Sequence, residues 1–105
     1  MDVKEYVSDV LCVPVTRIGN RLIIEGIEIV LDTRDHKFYP RLSQISHMTP
    51  RYLESSIRKS KVLSLRYMTA DDKAKIFGKA DVTTSEYVVK AAEYFRRTYE
   101  NKEEG

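Results

Sequence analysis

The chain has 105 residues and a mass of 12.2 kDa, which is one domain or one small domain with a short module. It is 42% hydrophobic and 32% charged, with a net charge of +2, one cysteine and two histidines. A lone Cys12 excludes an internal disulfide and a thiolate metal cluster, and the longest run free of charged residues, Leu42–Pro50, is too short and too polar to span a bilayer. Asp2, Lys4, Glu5 and Asp9 interrupt any signal-peptide core, so the sequence predicts a cytoplasmic protein with no membrane association.

The small net charge conceals a strong asymmetry. Residues 34 to 66 carry Arg34, Lys37, Arg41, Arg51, Arg58, Lys59, Lys61 and Arg66 against only Asp35 and Glu54. Both flanking thirds are mildly acidic. A basic band of this kind is the electrostatic footprint of a polyanion partner, although a solvated surface accounts for the same charges.

In chain order, Val3, Val7, Val10 and Leu11 fit one helical face, which predicts a short helix over residues 2–11. Val13, Val15 and Ile18 then lead to Gly19-Asn20, a pair suited to a tight turn. In RLIIEGIEIVL, residues 21–31, the alternation of Ile27, Ile29 and Leu31 with Glu28 and Val30 predicts a strand with a bulge at Gly26. Residues 13–39 are thus expected to form a small antiparallel β meander. Leu42 and Ile45, then Leu53 and Ile57, switch to helical spacing, with Thr49-Pro50 as an N-cap and first helical residue. Alternation returns in KVLSLRYM, residues 61–68, where Leu63, Leu65 and Tyr67 oppose Val62, Ser64 and Arg66. Thr69 with Asp72 caps a short helix through Phe77 that Gly78 closes. Thr83-x-x-Glu86 is a capping box for a helix reaching about Asn101, with Val88, Ala91, Ala92, Phe95 and Tyr99 as its apolar stripe.

The expected fold class is α+β: an N-terminal β meander, then helices, then a strand–helix–helix unit. The expected organisation is a β-rich module over residues 1–57 and a second unit over 58–105.

No Gly-rich phosphate loop, nucleophile elbow or paired-histidine motif is present. Asp32, Asp35 and Lys37 are the one cluster suggesting nuclease chemistry, and a charged turn explains them as well. The expectation is therefore a non-enzymatic protein without a cofactor or metal.

Two segments have the character of nucleic-acid readers. LSQISHMTPRYLESSI, residues 42–57, resembles a helix-turn-helix, and HMTPRYL is similar to the first such motif of AraC-type regulators. Ser46 and His47 depart from that pattern, which favours an aliphatic residue and a glycine there. A proline-interrupted structural helix is the alternative reading of the segment. Residues 61–97 resemble the ribbon-helix-helix repressors, the family of Arc and MetJ. The match is carried by Ser64-Leu65-Arg66-Tyr67 and by Ser85-Glu86-Tyr87-Val88 with Ala91 and Phe95. That resemblance implies a homodimer whose paired strands enter the major groove of double-stranded DNA, with Val62, Ser64 and Arg66 facing bases. It also implies that Thr84 and Ser85 hold a phosphate. Arg58, Lys59 and Lys61 would supply the salt-dependent backbone attraction, and Arg51 is a further expected DNA-binding residue. An edge strand with two packing helices in an ordinary α+β domain is the alternative.

The resulting expectation is a sequence-specific DNA-binding repressor, of phage, virus or mobile-element type. The second expectation, of a different class, is a small interaction module or inhibitor that docks on a host protein through an exposed strand edge.

Overall fold

The computed structural model describes residues 1–78 and 81–100. Among these residues 76% are helical and none lies in a strand, so the expected α+β class with its β meander is overturned. Six α-helices follow in order: α1 (Val3–Asp9), α2 (Ile18–Thr33), α3 (Tyr39–Ser46), α4 (Pro50–Tyr67), α5 (Ala70–Phe77) and α6 (Thr84–Phe95). A π-helical turn, Arg96–Glu100, extends α6.

Local chemistry accounts for most helix starts. Asp2 and Glu5 form a reciprocal capping box on α1, and Thr83 with Glu86 does the same on α6. Thr49 caps α4 through the Tyr52 amide, with Pro50 as first helical residue, and Thr69 caps α5 through the Asp72 amide. Gly78 ends α5 in the left-handed region (φ 72°), as a C-terminal glycine does. Arg34 and His47 adopt the same conformation at the ends of α2 and α3 without being glycine.

The segment expected to be a meander is chiefly α2, together with the start of α3. Its charged residues Arg21, Glu25, Glu28 and Asp32 recur at helical spacing. Leu22, Ile23, Ile27, Ile29 and Val30 fill the opposite, buried side. Gly19 begins no turn, and Gly26 marks no bulge: both lie within the helix at close crossings. A Cβ on Gly19 would overlap the Ser60 hydroxyl and fall 2.8 Å from the Ser56 carbonyl on α4. One on Gly26 would stand 3.2 Å from Val88 Cγ1 on α6.

The expected strand at residues 61–68 is the second half of α4 and its C-cap Met68. Leu63 and Leu65 are half-buried and Tyr67 is exposed, so the alternation does not separate a wet face from a dry one. The buried side of α4 is Leu53, Ile57, Ser60 and Ser64. Ser64 is fully buried: its hydroxyl donates to the Leu11 carbonyl and accepts from the Tyr87 hydroxyl at 2.6 Å. The ribbon placement of Ser64 toward DNA falls with the strand.

α2 is the central helix and packs against α1, α3, α4 and α6. The core runs through the whole chain, from Tyr6 and Val7 on α1 to Ala91, Ala92 and Phe95 on α6. Tyr6 donates its buried hydroxyl to the Ala91 carbonyl at 2.8 Å, tying the two ends together. The expected module boundary between residues 57 and 58 lies within α4.

Candidate nucleic-acid interface

α4 has eighteen residues, about 27 Å at 1.5 Å per residue. At about 3.6 residues per turn, Arg51, Ser55, Arg58, Lys59, Val62 and Arg66 share one side, opposite the buried stripe. Arg51, Arg58, Lys59 and Arg66 are all exposed. Tyr52, Val62 and Tyr67 are also about half exposed or more, at 51%, 49% and 59%. The only carboxylate on α4 is Glu54. It pairs with Arg58 at 3.2 Å. Among the described residues no carboxylate pairs with Arg51, Lys59 or Arg66.

The segment leading into this face is a short helix, a brief turn and a long helix. α3 ends at His47 (φ 58°), and α4 begins at Pro50. The turn is held by the Ser43 hydroxyl, which donates to the Met48 carbonyl. Ser46, at a position where an aliphatic side chain was expected for a helix-turn-helix, donates its hydroxyl back to the Leu42 carbonyl at 2.7 Å. That bond satisfies the hydroxyl locally.

The basic band of the sequence divides in space. Arg34 caps the end of α2, and Lys37 lies in the loop before α3. Arg41 on α3 lines a surface cleft together with Glu28 and Asp32 of α2. Four cations of the band, Arg51, Arg58, Lys59 and Arg66, gather on the outer face of α4.

The other predicted residues take different places. Lys61 is half-buried and donates from Nζ to the Val82 carbonyl at 2.7 Å, so its ammonium anchors the segment before α6. Thr84 is 6% exposed, and its hydroxyl donates to Glu54 Oε1 at 3.1 Å. It faces α4 and does not stand outward as a phosphate contact. Ser85 is exposed on the first turn of α6. Asp35 accepts the Lys37 amide at 2.9 Å in a turn, while Asp32 is on the last turn of α2. Among the described residues no group of three or more His, Cys, Asp or Glu side chains is placed to hold a metal ion.

Glu54 was not among the residues singled out from the sequence. It joins α4 to α6, and nothing local to residues 50–67 announces Thr84 as its partner. Close by, burial and then the Glu54 carboxylate push the Tyr39 hydroxyl up to about 12. None of the described helices is long and apolar enough to cross a membrane.

Searches with this sequence find no matching protein-family model and no matching curated protein.

Proposed function

We propose that the protein binds nucleic acid, with duplex DNA as the ligand class, through the outward face of α4, and that it acts as a DNA-binding regulator. The observation that carries this reading is the row Arg51, Arg58, Lys59 and Arg66 along an 18-residue helix whose only carboxylate is Glu54. A helix presenting cations on its outer side fits the major groove, about 12 Å wide, while neutralising phosphates on either rim. The preceding short helix and turn support the same reading, since a helix-turn-helix lays its second helix in the groove. One helix offers few base contacts, so the reading includes a homodimer that doubles them.

The test is fluorescence anisotropy with a labelled duplex over a salt series. Binding should weaken steeply from low to moderate salt, and Lys59→Glu with Arg66→Glu should abolish it at moderate salt. Duplex affinity that ignores salt, or survives both reversals, contradicts the reading. The measured mass of the protein with and without duplex reports dimerisation.

A second reading, docking on a host protein, draws on one observation. Ile18 and Ile45 are 45% and 52% exposed and line one cleft with Met48. Exposed aliphatic side chains in a cleft that also holds Arg21, Glu25 and His47 suit a protein partner offering an apolar anchor with a polar rim. Pull-down of a defined partner that Ile45→Asp prevents, with no duplex binding, would favour it.

A further inference from the structure

We propose that Arg58 is the side chain of α4 that reads a base, a guanine, and that Glu54 is its positioning residue. This rests on the nucleic-acid reading above and assigns roles within that face.

The four exposed cations of α4 are not equivalent. Arg51, Lys59 and Arg66 have no carboxylate partner among the described residues. Arg58 is held, one turn on from Glu54, with Nη1 3.2 Å from Glu54 Oε2. Glu54 is itself held from the other side. Its Oε1 accepts the hydroxyl of Thr84 at 3.1 Å, and Thr84 sits 6% exposed on α6. A carboxylate with one oxygen tied to a neighbouring helix and the other to a guanidinium restricts that guanidinium in a way a lone surface pair does not. The Arg58 side chain nevertheless remains 55% exposed, so its far edge faces solvent.

Charge separates the two roles. Arg58 with Glu54 is a neutral pair, and the carboxylate beside it repels phosphate oxygens. The pair therefore adds little to counterion release, which depends on uncompensated cations. The contact to Glu54 occupies Nη1 and leaves Nε and Nη2 free. Two parallel N–H donors on one edge match O6 and N7 of guanine in the major groove. The flexible, unpaired Arg51, Lys59 and Arg66 suit phosphates, where geometry matters less and charge matters more.

The experiment selects preferred sites from a randomised duplex pool with the wild-type protein, then compares affinities for the selected and a scrambled duplex. Arg58→Lys should lose about tenfold or more of the preference, as should replacing the critical guanine by an analogue lacking N7. Glu54→Gln should bind the scrambled duplex more tightly, because a negative charge is gone, while losing preference. Thr84→Val should also lose preference, and Thr84→Ser should restore it; a helical circular-dichroism spectrum for each variant reports folding. A wild-type protein that binds duplex but selects no site overturns this inference alone, as does full preference retained in Glu54→Gln and Arg58→Lys. Absence of duplex binding by the wild type overturns the nucleic-acid reading and this inference together.

Discussion

α2 and α4 are the two long helices of the molecule, they cross at Gly19 and Ser60, and they divide the labour unequally. α2 buries eight of its sixteen residues and contacts four other helices. α4 buries four of eighteen, two of them serines. A helix surrounded on most sides has little surface left for a partner. One that touches the core along a narrow stripe can present most of its circumference outward. The charges follow the same division, with an acidic excess on α2 and a basic one on α4. Stability is thus concentrated in α2, and the candidate binding surface in α4.

Substitutions can break this division. The largest expected stability loss is Ile27→Ala on α2, where a fully buried side chain is removed; about 2–5 kcal/mol should be lost in a denaturant titration. Gly19→Ala comes next, with about 1–3 kcal/mol of overpacking, because the added methyl meets both Ser60 and the Ser56 backbone. Ser64→Ala, on the buried stripe of α4, leaves the Tyr87 hydroxyl and the Leu11 carbonyl without their partner and should cost about 1–3 kcal/mol. Arg51→Ala and Arg66→Ala should change stability by less than about 0.5 kcal/mol, as exposed positions do, while weakening duplex binding. A destabilisation by Arg66→Ala as large as that by Ser64→Ala would erase the distinction between the two faces of α4.

Alkaline pH sharpens the same contrast. Burial raises the hydroxyls of Tyr6, Tyr39 and Tyr87 above their ordinary value, Tyr39 to about 12. A raised folded-state value means that the unfolded chain releases its proton first, from an ordinary value of 10.0. The contribution of these tyrosines is complete below that value and is lost as pH rises through the folded-state range. Thermal unfolding should therefore shift downward above pH ~10, and Tyr39→Phe should flatten part of the decline. A melting temperature independent of pH in that interval would contradict the burial of these rings.

Helix ends were legible in the sequence because caps are local chemistry. Thr49-Pro50, Thr69 with Asp72, and Thr83 with Glu86 mark the starts of α4, α5 and α6. α2 was obscured by its β-branched residues and by the alternation of Ile27, Ile29 and Leu31, which tertiary burial overrides. The period that discriminates is that of Arg21, Glu25, Glu28 and Asp32. The second half of α4 was hidden for another reason: its buried stripe continues as Ser60 and Ser64, which no apolar pattern reveals. These serines fit because one meets Gly19 and the other bonds Leu11 and Tyr87. Arg51, Arg58, Lys59 and Arg66 could be picked out by charge alone. The burial of Thr84 and the anchoring of Lys61 depend on α6 packing across α4, a contact between segments distant in sequence.

The most direct measurement is an NMR titration of the amide signals with a short duplex. The account predicts shifts concentrated at Arg51, Ser55, Arg58, Lys59, Val62 and Arg66, with the outer side of α2 unchanged. Shifts confined to α2 and α3, or none at any duplex concentration, would contradict it.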